Sequence, residues 1–296
     1  MGITKARHSD TFALSIEPRL SDLGGFHVRR LLPHAKRRMV GPWIFFDHMG
    51  PVTFDPGQGM DVRPHPHINL ATVTYLFEGE IVHRDSLGCV ETIRPGDINL
   101  MIAGRGIVHS ERTGSALREA GHALHGLQLW LALPAKLEEN EPEFLHYDAD
   151  ALPTCIIGDI LVRVMIGSAY GVNSTVKQLS PTLYLEANLL RGQSLQLPDG
   201  VGERAVYLAS GSVHIGETAI EPATMAVLDN NKGSVLKAMD DSRIVVLGGE
   251  PLGHRHIWWN FVSSRRDRIE QAKQDWLENR FVRVPGETEF IPLPDQ

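Results

Sequence analysis

Cysteine is nearly absent: Cys89 and Cys155 are the only two in 296 residues. No Cys-x-x-Cys pair exists, which excludes zinc knuckles and thioredoxin-type redox sites, and two thiols cannot build a disulfide framework. They read as free thiols of a reducing compartment. Positive charge is also scarce. Lys and Arg number 29 against 36 Asp and Glu, a net charge of −7, so the basic patches that bind phosphate backbones are not expected. Long apolar runs are missing, and nothing approaches the ~20 residues of a membrane helix. The N-terminal stretch Met1 to His8 lacks the apolar core of a signal peptide, and Ala6 stands where myristoylation needs Ser or Thr. Together these absences predict a cytoplasmic protein with neither a membrane nor a direct nucleic-acid partner. There is no Walker A loop, no Gly-x-Ser-x-Gly elbow and no His-Glu-x-x-His. Gly104-Arg-Gly106-Ile-Val-His109 opens like a dinucleotide loop but has His where the third Gly belongs.

Histidine, by contrast, is plentiful, at 14 residues. Any metal chemistry here would run on imidazole and carboxylate rather than thiolate. Most of the chain alternates apolar and polar residues between Gly, Pro and Asp turns, as in Leu70 to Phe77, Ile98 to Ile102 and Leu124 to Leu133. Many short strands at close spacing predict an all-β sandwich or barrel. The second half repeats the texture at Thr182 to Leu190, Arg204 to Ala209 and Ile244 to Leu247. Tyr75 to Ile81 and Tyr207 to Val213 both read as strand, Gly turn, strand, which suggests two copies of one β-fold. The acidic, Pro-containing segment Pro134 to Pro153 reads as the linker between a domain 1–134 and a domain 135–296. One helix is signalled near the C-terminus. Ser264 to Asp267 resembles a capping box, and Ile269, Ala272, Lys273, Trp276 and Arg280 follow at helical spacing. Pro285 to Gln296 reads as extended.

The chemistry concentrates between Gly59 and Glu111. In a strand, residues two apart share a face, so His65 and His67 point the same way, as do His109 and Glu111. Folded back antiparallel, the two pairs can bring three imidazoles and one carboxylate to one point. Such a set suits Fe(II), Mn(II), Ni(II), Cu(II) or Zn(II) rather than Mg(II) or Ca(II). His83, Asp85 and Ser86 read as a polar turn rather than a triad. His214 stands alone on its strand and reads as structural, and His254 and His256 fall in a loop. Phe45 and Phe46 read as core packing or as apolar pocket wall.

Gly59-x5-His65-x-His67 matches the opening of the first cupin motif, and the block from Arg63 to Glu111 closely resembles the pirin family of bicupins. The likeness continues through Ala123 to Trp130, Pro181 to Leu185 and Gly249 to Leu252, and covers roughly residues 20 to 260. It implies two tandem cupin (jelly-roll) β-barrels with a C-terminal helix. The first cup would hold one divalent metal, usually Fe(II), with Mn, Ni, Co, Cu or Zn as alternatives, on His65, His67, His109 and Glu111. The second would lack ligands. By the same resemblance His125 and Gln128 are assigned to a substrate pocket. One departure stands out: many pirins carry Arg-Gly-Phe-Glu after the second His, and this chain has Ile68-Asn69-Leu70-Ala71. That change removes an Arg and a Glu that would set the pocket's charge.

The resemblance implies a quercetin (flavonol) 2,3-dioxygenase-type reaction with O2, in which Glu111 is both ligand and catalytic base. The alternatives are a non-enzymatic iron- or redox-sensing protein that binds a transcription or metabolic partner, and a cupin enzyme acting on a small sugar or acid.

Overall fold

The computed structural model describes residues 12–22, 26–229 and 234–294; the N-terminal stretch to His8 lies outside them. Two barrels share one plan, as the repeated texture predicts. Each pairs a seven-stranded antiparallel sheet with a four-stranded one. In the first barrel the large sheet runs Glu143–Tyr147, Ile98–Ile102, Leu70–Glu78, His122–Ala132, Trp43–Phe54, His27–Leu32, Arg19–Asp22. In the second it runs Phe12–Ile16, Met225–Leu228, Glu203–Ser210, Ser242–Gly249, Thr182–Leu189, Ile160–Ile166, Thr154–Ile157. The small sheets are Asp61–His67, Ile107–Arg112, Ile81–Asp85, Val90–Ile93 and, in the same order, Ser194–Gln196, Val235–Ala238, Val213–Ile215, Thr218–Ile220. Position for position, Leu70–Glu78 corresponds to Glu203–Ser210, which places Tyr75 and Tyr207 on equivalent strands.

The edge strands are exchanged. Phe12–Ile16 pairs with Met225–Leu228 of the second barrel, and Glu143–Tyr147 pairs with Ile98–Ile102 of the first. Both strands therefore cross the boundary drawn at residue 134. The segment read as a linker is in part a strand of the first sheet, because its Glu143–Tyr147 backbone completes that sheet's open edge.

The two large sheets pack face to face. Their common core takes Trp43, Phe46, Val73, Leu127 and Leu129 from one side and Tyr184, Tyr207, Val245 and Leu247 from the other. Trp43 is fully buried, and its Nε1 donates to Leu183 O at 3.2 Å and Gly248 O at 3.0 Å, across the junction. Gly41 sits so close to this seam that an added Cβ would meet the Gly249 backbone at 2.7 Å, and its φ of +54° is one that glycine adopts at no steric cost.

The interiors of the two cups differ. The second is filled by Val162, Leu185, Leu195, Val206, Leu208, Val213, Leu236 and Val246. Aliphatic side chains offer no metal-ligating atom, and its His214 is a half-buried strand residue opposite Ala219 and Lys237. The first cup keeps its mouth open.

The C-terminal helix spans Arg266–Leu277 and buries Ile269 and Ala272 against Ile68 of the first barrel and Phe261 of the short hairpin that precedes the helix. The capping-box expectation fails in detail. The N-cap is Arg265, with no side-chain cap bond. Ser264 instead gives its N–H and Oγ to the Glu138 carboxylate, each at 2.8 Å. Glu138 is buried and also pairs with buried Arg255, so two extra donors serve that carboxylate better than they would a solvated helix end. No helix among the described residues is long and apolar enough to cross a membrane.

Candidate metal centre

The strands carrying the two pairs, Asp61–His67 and Ile107–Arg112, are antiparallel neighbours in the small sheet, with His109 opposite His65. A bulge between His109 and Glu111 then sets Glu111 opposite Val62. His65, His67 and His109 are all buried, and each offers a ring nitrogen within 4.8 Å of the other two. The Glu111 carboxylate lines the same cavity but falls outside that close group.

Backbone carbonyls orient two of the rings. His65 Nδ1 donates to Arg63 O at 2.9 Å, and His67 Nδ1 donates to Asn260 O at 3.1 Å. A carbonyl only accepts, so the proton sits on Nδ1 and Nε2 keeps its lone pair. His67 Nε2 and His109 Nε2 lie 3.1 Å apart. Burial pushes His65 down to about 4 and drives His67 and His109 well below the usual histidine range. Neutral imidazoles are the form that binds metal. The donor set fits a divalent transition-metal ion: three neutral nitrogens converge and a carboxylate stands nearby. Burial lifts Glu111 to about 7, with the neighbouring Thr74 opposing the shift.

The cluster lies in the wall of a cavity of about 640 Å³, within the ~300–1,000 Å³ span of small-molecule sites. Phe45, Trp130 and Trp259 line it. Phe45 and Trp130 are stacked with centroids 3.9 Å apart and planes at 11°, and Trp130 meets His67 edge-on at 5.0 Å. Arg30 lies over the other side of Phe45 at 4.4 Å and holds Asp47 through two bonds of 2.8 and 2.7 Å. Gln128 also lines the cavity and accepts from Thr74 Oγ1 at 2.8 Å.

His125 does not share that wall. Strand alternation turns it to the opposite face of His122–Ala132, where it stacks on His48 with Nε2 atoms 2.7 Å apart. Phe45 and Phe46 divide in the same way, one in the cavity wall and the other in the core between the barrels. The Ile68 to Ala71 departure leaves the cavity lining alone, because all four residues are buried without touching it. Ile68 packs under the helix, Asn69 makes a left-handed turn with φ 57° and donates to Gly104 O and Glu138 O, and Ala71 faces the second barrel.

Several neighbours escape the sequence reading. His83 and Asp85 are buried strand residues rather than a turn, and His83 reaches His109. Their i, i+2 spacing was the available signal. Trp259, Asn260 and Ile291 reach the cavity from the far end of the chain. The extended tail is tied down by Arg112 to Glu287 at 2.7 Å and by Ile291 N–H donating to Pro64 O at 2.8 Å. His254 and His256 have rings 4.6 Å apart, but no third ligand joins them among the described residues.

Residues 25–131 match the Pirin family and residues 184–282 the Pirin C-terminal cupin domain. A Pirin-like protein of Caulobacter vibrioides is 48% identical over 287 residues, covering 95% of this chain and 99% of that one. Human Pirin is 32% identical over 271 residues, covering 88% and 90%. The crystal structure of a quercetin 2,3-dioxygenase from Acinetobacter baumannii superposes with a TM-score of 0.87 at 33% identity, covering 96% and 97%. Fold, paired cupin barrels and sequence agree: this chain belongs to the pirin family.

Proposed function

We propose that the protein is a metal-dependent dioxygenase that opens the flavonol ring of quercetin or a related planar enol at C2–C3. Both atoms of O2 enter the product and carbon monoxide leaves. The observation that carries this reading is the placement of three neutral imidazoles and a buried carboxylate in one aromatic-walled cavity. Similarity to a quercetin 2,3-dioxygenase structure supports it.

His65, His67 and His109 would hold one divalent ion, Fe(II) first, with Glu111 able to complete the set. When bound, the ion supplies Lewis acidity toward the enol oxygen and a template for substrate beside O2. The protein's own part is positioning and proton handling. Phe45, Trp130 and Trp259 supply apolar cavity wall for an aromatic substrate. Gln128 offers a polar contact on the same wall. Glu111 Oε takes the proton of the 3-hydroxyl, as a buried carboxylate in the cavity wall can. The buried wall keeps bulk water from the deprotonated enol.

The test is Fe(II)-loaded protein with quercetin, following O2 uptake and carbon monoxide together. The expected result is one carbon monoxide per O2 consumed. Neither gas changing, with the ion confirmed bound, contradicts the proposal and shifts the weight to a redox-sensitive binding protein.

A further inference from the structure

A line of buried polar groups runs behind the histidine cluster. His109 Nδ1, on the side of the ring away from His67, lies 3.4 Å from His83 Nδ1. His83 Nε2 lies 3.1 Å from Asp85 Oδ2. Asp85 Oδ1 accepts the backbone N–H groups of Leu87 at 2.9 Å and Cys89 at 3.1 Å. His109, His83 and Asp85 are 1%, 4% and 0% exposed. Phe144, from the exchanged edge strand, holds the His83 ring flat, with centroids 4.3 Å apart and planes at 15°.

One polarity along this line leaves a lone pair on His109 Nε2, as a metal ligand needs. The Asp85 carboxylate accepts, so His83 Nε2 carries the proton that reaches it. With that as its one proton, His83 has a bare Nδ1. That nitrogen can only accept, so His109 must donate from Nδ1. His109 Nε2 is left with its lone pair, facing His67 Nε2. His65 and His67 obtain the same tautomer from backbone carbonyls; His109 obtains it from a side-chain pair.

We propose that Asp85 and His83 are positioning residues that fix the tautomer and ring orientation of His109, so that its Nε2 is ready for a metal ion. The inference rests on reading the cluster as a metal centre. Partners of this kind commonly account for 10- to 100-fold in metal affinity.

Asp85→Asn tests the polarity directly. The two backbone N–H groups hold the amide oxygen where Oδ1 now sits, so the NH2 group faces His83 Nε2. His83 then becomes the acceptor there and the donor at Nδ1. His109 must accept at Nδ1, and its own proton moves to Nε2, the ligand position. His83→Phe keeps the stack on Phe144 but removes both nitrogens, so it deletes the bias instead of reversing it.

The experiment titrates the full-length apoprotein with Co(II) against a competing chelator, reading affinity and the visible Co(II) spectrum, with circular dichroism to check folding. Asp85→Asn is expected to weaken binding about 10- to 100-fold, and His83→Phe to weaken it by less. The double variant is expected to bind more tightly than Asp85→Asn alone, a rescue that a merely structural role does not produce. Wild-type affinity in His83→Phe or in folded Asp85→Asn overturns the proposal, as does a double variant no tighter than Asp85→Asn. Failure of the wild type itself to bind Co(II) removes the metal-centre reading, and this inference with it.

Discussion

Glu111→Gln is expected to lower kcat for quercetin about 10²- to 10⁴-fold, the usual weight of a positioned general base, while flavonol affinity changes only a few-fold. The side chain is buried, lines the cavity and has Thr74 as its neighbour. Gln keeps the size and the contact with Thr74 but cannot take a proton. The aromatic wall of Phe45, Trp130 and Trp259 is unchanged by the substitution. The loss therefore belongs in kcat rather than in binding, and stopped-flow turnover beside equilibrium quenching of Trp fluorescence separates the two. Equal turnover at saturating quercetin would remove the base role and leave Glu111 as a ligand or a wall residue.

Trp43→Ala carries the largest structural effect. Removing a fully buried Trp costs about 3–5 kcal/mol from lost burial and the cavity left behind. The indole N–H also spans the seam between the barrels to Leu183 O and Gly248 O, and each carbonyl loses that donor. Denaturant midpoints measure the sum. A loss of under about 1 kcal/mol would show that the barrels do not depend on this anchor. Trp43→Phe keeps one six-membered ring but loses the pyrrole portion with its N–H, so its stability should fall between wild type and Trp43→Ala.

Much of the fold was legible because strand period and Gly turns mark a β-protein whatever its neighbours. The partners of the edge strands were not. Phe12 pairs with Leu228, and Glu143 with Ile102; alternation says which face a residue takes but not which strand lies beside it. Pro134 to Pro153 looked like a linker for the same reason: the half-buried strand within it, Glu143–Tyr147, is only five residues long and is set among acidic and Pro residues.

At the site, His65, His67 and His109 were legible because i, i+2 spacing on a strand is itself geometry. Glu111 reached the same cavity but stands off from the cluster, beyond a bulge that spacing does not reveal. His125 was misplaced by resemblance where alternation alone separates it from Gln128. The turn signals around His83 and Asp85 hid a strand whose end is Asp85. Trp259, Asn260 and Ile291 arrive through tertiary packing of the C-terminal segment, which no local pattern encodes.

The most direct measurement is O2 uptake with quercetin by Fe(II)-loaded wild type and by His65→Ala, with metal content determined in both. Uptake in the wild type, lost together with the metal in the variant, is the predicted result. Undiminished uptake by a metal-free His65→Ala protein would contradict the account at its centre.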